Sequence, residues 1–156
     1  MKRLIVGFII ATALACASVP VAKDTAIVGL QASEVALGSA QDQERALCFK
    51  NPQTESGPHC TNPLAAAAGL TDARHQSARD FAIAAFSKQK LAAVALQLWQ
   101  PGTAPPQDLV DYQTDLTNLV NVAKLLDQSP AAQAFLAKVQ SAIDEATKAA
   151  TAVGVK

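Results

Sequence analysis

Methionine, histidine and cysteine, the residues that most often carry redox or metal chemistry, number one, two and three in 156 positions. With methionine only at position 1, no thioether is left to ligate haem, and a C-x-x-C-H attachment is absent. His59 and His75 belong neither to a Glu-x-x-His pair of the di-iron bundles nor to a zinc-type H-x-x-x-H. Ser77 lies two residues from His75, so on a helix the two side chains diverge and no Ser-His unit is assembled locally. There is no glycine-rich phosphate loop either. Taken together these absences argue against an enzyme. Charge of one sign is also lacking: 13 basic residues face 13 acidic ones, which excludes a polyanion-binding surface and a nucleic-acid partner. Aromatics make up only 4%, so any core must be built from aliphatic side chains and alanine.

What the chain does have begins at its N-terminus. Lys2 and Arg3 precede an apolar run over residues 4–14, and the small residues Ala15, Cys16 and Ala17 follow. That is the layout of a secretion signal. The segment Thr12-Ala13-Leu14-Ala15-Cys16 resembles the lipobox of bacterial lipoproteins, in which the cysteine is acylated and becomes the new N-terminus. It departs from that pattern in placing leucine at 14 and alanine at 13. Ordinary signal-peptidase cleavage after Ala17 stands as the competing reading, with Ala15 and Ala17 at the small-residue positions. An uncleaved anchor extending through Ala22 is disfavoured by Pro20 and the small residues around it. The expected division is therefore a signal at 1–17, a tether at 18–23 and one helical domain at 24–156. Loss of Lys2 and Arg3 leaves 11 basic residues against 13 acidic, a mature charge of about −2.

Once Cys16 is lipidated or removed, Cys48 and Cys60 remain as an even pair suited to an oxidising compartment. Between them lie two prolines, a glycine and polar residues, the composition of a turn-rich loop. A disulfide closing that ring stabilises the fold by roughly 3 kcal/mol in the chain-entropy model. The alternative is a metal site of Cys48, His59, Cys60 and His75. Its spacings match no paired zinc pattern, and adjacent His59 and Cys60 are awkward ligands for one ion. No cofactor is expected.

No strand pattern competes with helix beyond the leader. Alanine tracts such as Ala65-Ala66-Ala67-Ala68 favour helices that approach closely. The first helix is expected from Asp24 or Thr25 to Cys48. Its stripe of Ile27, Leu30, Leu37 and Leu47 is interrupted by Ser33, Glu34 and Glu44, and Gly29 and Gly38 weaken it. It should therefore be the most peripheral and mobile part of the bundle. Asn62 and Pro63 supply an N-cap and a first-turn proline for the second helix, with a bend or restart at Gly69, Thr71 and Asp72. From Phe81 to Trp99 its apolar residues, among them Ile83, Phe86, Leu91, Val94, Leu96 and Leu98, lie nearly all round, the mark of a central helix. Trp99 reads as a plug at the bundle end.

Two clean stripes follow. Leu109, Tyr112, Leu116, Leu119, Ala123 and Leu126 form one; Ala132, Leu136, Val139, Ile143, Ala146, Ala150 and Val153 form the other. Ser129 and Pro130 should join them by a residue or two into an antiparallel hairpin packed along the second helix. The expected fold is all-α, an antiparallel bundle of three to four helices with one disulfide loop, its core within residues 63–153.

Arg74, His75, Arg79, Lys88 and Lys90 form a modest basic cluster along the second helix. It reads either as a solvated face balanced by Asp72 and Asp80 or as a contact for lipid headgroups or an acidic partner. The possible lipid cysteine, alanine-rich helices, two-cysteine loop and the helix launched from Cys60-Thr61-Asn62-Pro63 together resemble the small helical exported proteins and lipoproteins of phage and prophage genomes. The resemblance covers roughly residues 1–100 and carries no diagnostic motif. It implies an envelope role such as spanin-like lysis or receptor blocking. The expectation is an exported bundle on the periplasmic side of the envelope, held to the outer membrane by lipid on Cys16 or else soluble in the periplasm or secreted. It should act through binding, with a protein partner or a small ligand; a deep polar pocket lined by His75 or by buried carboxylates would signal an enzyme or ligand-binding bundle.

Overall fold

The computed structural model describes residues 21–127 and 129–155. The signal segment, the lipidation at Cys16 and the first half of the tether lie outside the described residues. The described residues form five helices: α1 (Lys2–Cys48), taken here from Val21 onward, α2 (Pro63–Ala67), α3 (Asp72–Leu98), α4 (Gln107–Ala123) and α5 (Pro130–Ala152). Among the described residues there is no strand. The fold is all-α, as its periodicity predicts.

The buried face of each long helix repeats in alternating steps of three and four. On α3 it comprises His75, Ala78, Ala82, Ala85, Gln89, Ala92 and Leu96, and on α1 it runs through Ala26, Leu30, Ser33, Leu37, Ala40, Glu44 and Leu47. A 3.5-residue period keeps one seam facing its neighbours along shallowly crossed helices. α1, α3, α4 and α5 accordingly form a closed ring in which each packs on the next and α5 returns to α1. Cross-links fix the directions: Lys23 reaches the Gln97 carbonyl and Gln89 donates to Glu34, so α1 and α3 are antiparallel. Lys88 bridges to Asp108 and Asp111 while Arg74 reaches the Leu125 carbonyl just past α4, and Gln113 donates to Thr147 across a pair joined by the short link at 124–129, which makes α3–α4 and α4–α5 antiparallel too. In the middle of the bundle Ser33 donates to the Ala142 carbonyl at 2.5 Å and accepts from Tyr112, 2.7 Å away across the diagonal.

Helix boundaries follow the local chemistry. Asn62 accepts from the Leu64 amide, Thr71 from Arg74 and Ser129 from Ala132, with Pro63 and Pro130 in the first turns. Gly69 breaks α2 from α3 by adopting φ of 71°, a left-handed conformation natural to glycine. The second expected helix is thus two helices. α1 is already helical at Val21, so the residues 21–23 assigned to the tether belong to the bundle; no breaker separates them from Asp24. The α4–α5 link is longer than a residue or two. It spans residues 124–129, where Leu125 and Leu126 donate to Val122 and Ala123 in tight turns and Leu126 stays buried.

Two further expectations are corrected. α1 is not peripheral: its partnership with α5 is the most extensive in the molecule. Alanine, glycine and serine on its inner face permit close approach, and a Cβ on Gly29 would lie 3.0 Å from the Glu145 carbonyl oxygen. Nor is α3 central, since its large side chains Ile83, Leu91, Val94 and Leu98 are exposed, Leu98 at 78%, while its alanines face inward. In the α4 stripe all six expected residues are buried. In α5 the buried face is rotated slightly, so that Phe135, Ala142 and Ala149 are enclosed and Leu136 and Ile143 only pack against the core. Trp99 is half-buried against the core, and its indole nitrogen has no partner among the described residues.

Candidate functional site

At one end of the bundle the loop between α1 and α2 folds back over α3. Cys48 and Cys60 are joined in a disulfide, with 4.6 Å between their Cα atoms. The Thr61 and Asn62 amides donate to the Cys48 carbonyl. Asp72, at the start of α3, accepts from the Cys60 amide at 2.9 Å and pairs with His59 at 2.7 Å. These bonds, the Cys60 amide foremost, hold the Asp72 carboxyl below its ordinary pKa. Arg45 donates to the carbonyls of Pro52 and Glu55. The loop is therefore tied down at both ends and in the middle.

Beneath it lies a buried ion pair. His75 Nδ1 is 2.5 Å from a Glu44 carboxylate oxygen, and its Nε2 is 2.9 Å from the Gly57 carbonyl. The Gly57 carbonyl only accepts, so Nε2 carries hydrogen, and Nδ1 shares a hydrogen bond with the Glu44 carboxyl group. The bond to Glu44 raises the His75 pKa; burial opposes this, and the Gly57 carbonyl adds to it. Phe49 meets the same ring edge-on, with centroids 5.5 Å apart.

The pair borders a cavity of about 170 Å³. Its floor is apolar and fully enclosed: Ala78 and Ala82 from α3, Leu119 from α4 and Phe135 from α5. Its rim is polar and more accessible, with Gln41, Arg45, Ser56, Gly57 and Arg79 beside exposed Ile83. Arg79 has neither an ion pair nor a hydrogen bond among the described residues. A cavity of this size accommodates a single aromatic ring or a short alkyl chain.

The sequence-selected residues end in different places. His75 is buried in this pocket, Arg79 stands at its rim and Lys90 is exposed. Arg74 is spent on the Gly69 and Leu125 carbonyls, and Lys88 on Asp108 and Asp111. The five do not share one exposed face. Cys48, Cys60 and His75 bring their ligand atoms within 4.8 Å of one another, but with the sulfurs bonded to each other neither is a thiolate, the form that holds a metal. His59 is turned to Asp72. Sequence reasoning missed Glu44, treated as a break in the α1 stripe. Its register with Leu37 and Leu47 was the available signal, because a carboxylate on an inward seam needs a partner.

The class defined by these features is an all-α, disulfide-tied bundle of four long helices with a terminal pocket. Comparison with protein-family models, curated proteins and solved structures finds no match. Among the described residues no helix is long and apolar enough to cross a membrane.

Proposed function

We propose that this chain is an exported helical bundle, tethered to the envelope through Cys16, that acts by binding a small molecule at the Glu44–His75 pocket. The observation that carries the reading is the pairing of an enclosed apolar floor with a polar rim above a buried ion pair. Such a combination fixes a ligand's orientation while burying its body. Binding is favoured over proton-transfer chemistry because both nitrogens of His75 are engaged, leaving no lone pair for a substrate. Export is supported by the basic-apolar-small leader and by a disulfide of the kind that persists in oxidising compartments.

Two measurements test the two halves. Intact mass of membrane-extracted protein should show a chain starting at Cys16 with added acyl mass; an unmodified chain starting at Ser18 in the soluble fraction refutes the tether. For the pocket, hexanamide titrated into isotopically labelled protein should shift the methyl resonances of Ala82 and Leu119. Ala82→Leu, which fills the floor, should abolish the Leu119 shift with the bundle still folded. Shifts scattered over the exposed side chains of α3, and unaffected by Ala82→Leu, would refute the pocket.

A further inference from the structure

We propose that the ligand is a small amphipathic carboxylate, its anionic head received by Arg79 and its apolar body laid on Ala82, Leu119 and Phe135. The inference rests on the pocket reading above and assigns its ligand class.

The charge around the cavity is unbalanced. Arg45 and Arg79 border it as cations, against the single carboxyl group of Glu44. Glu44 is engaged by His75. Arg45 is held by the neutral carbonyls of Pro52 and Glu55, which orient its guanidinium without cancelling its charge. Arg79 has no anionic partner among the described residues, although Asp72 and Asp80 lie within seven positions of it in the sequence; Asp72 is occupied by Cys60 and His59. A rim with excess positive charge and one uncommitted guanidinium is complementary to an anion, and the planar fork of arginine fits a carboxylate through two parallel hydrogen bonds. Below the rim the enclosed lining is alanine, leucine and phenylalanine apart from Glu44 and His75, which are bonded to each other. That vertical division, charge above and hydrocarbon below, matches a molecule with one ionised end. The volume of about 170 Å³ limits the apolar part to about six carbons or one ring. A second charge on the ligand would have to enter the alanine-lined floor unpaired, which disfavours dicarboxylates and zwitterions.

The test compares hexanoate with hexanamide, equal in shape and different in charge, by calorimetric titration of the full chain. Hexanoate should bind at least about tenfold more tightly, the usual advantage of a charge-assisted over a neutral hydrogen bond. Arg79→Gln should erase the difference by weakening hexanoate alone, and Arg79→Lys should keep part of it. Raising salt should narrow the gap in the native protein and leave hexanamide unchanged. Equal affinities in the native protein overturn the ligand class while leaving the pocket intact, and a preference for hexanoate that survives Arg79→Gln overturns Arg79 as the group that receives the carboxylate. Failure of both compounds to bind overturns the pocket itself. Arg79 is exposed, so its variants should melt as the native chain does; circular dichroism confirms that a lost preference is not lost folding.

Discussion

His75 and Glu44 meet across 31 positions of sequence, and their pairing makes stability depend on pH in a defined direction. Bonding to Glu44 raises the imidazole above its ordinary value of 6.5, so the native state holds that proton more tightly than the unfolded chain. The stabilisation is fully present below about pH 6.5 and is lost as pH rises through the native pKa. Arg79 works weakly against it. Urea denaturation at several pH values from about 6 to about 9 should therefore show the midpoint falling with pH. Glu44→Gln should flatten that slope and lower stability at pH 6. A slope that persists in Glu44→Gln would show that another group is responsible. Tyr112 titrates outside this window: burial pushes it up to about 12, so its hydroxyl remains a donor to Ser33 throughout.

Elements divide into those whose role was written in local pattern and those whose role was not. α4 was legible because leucine and tyrosine mark its inner face unmistakably, and the caps at Asn62 and Ser129 were legible because capping is settled within four residues, whereas Thr71 was read only as part of a bend or restart. α1 and α3 misled because small and polar residues share their inner faces, Ala26, Ser33, Ala40 and Glu44 between the leucines of α1 and four alanines with His75 and Gln89 on α3, while Val28, Val35, Ile83, Leu91, Val94 and Leu98 lie outside. The pocket was legible only as a condition, since Glu44, Leu119 and Phe135 come from three helices and no spacing rule links them. Glycines on α1 offer a direct test of the close-approach argument. Gly38 has nothing within 4 Å of an added Cβ, so Gly38→Ala should stabilise by about 0.5–1 kcal/mol through helix propensity. Gly29→Ala enjoys the same propensity gain but would press on Glu145 and Ala149 at 3.0 and 3.2 Å. It should lower the melting temperature. If both substitutions stabilise equally, α1 and α5 are not in intimate contact. Replacing Cys48 and Cys60 by serine should cost roughly 2–4 kcal/mol. Because α1 is anchored by α5, hydrogen exchange should then quicken first in residues 49–62 and α2, and the amides of residues 26–44 should stay protected.

At the scale of the molecule, four long helices in a ring leave the core no spare wall, so one buried charge should undo the whole. Leu116 is fully enclosed, and Leu116→Asp should unfold the domain, whereas exposed Lys138→Glu should be nearly silent by circular dichroism melts. A folded, more soluble Leu116→Asp monomer would show instead that the stripe serves a partner. The alanine seams carry a broader consequence for how this sequence can diverge. In a leucine-rich core, truncation is the costly class of change because each lost methylene leaves a void. Here Ala26, Ala40, Ala78, Ala82, Ala85, Ala92, Ala142, Ala146 and Ala149 have almost nothing to lose, and almost any replacement adds volume between helices already in contact. The usual asymmetry of core tolerance is inverted: a saturation library should enrich for small residues at these seams and purge large ones. Drift in this protein is bounded by a ceiling on side-chain size, with Ala78 and Ala82, which face the cavity, as the seam positions best placed to accept an increase.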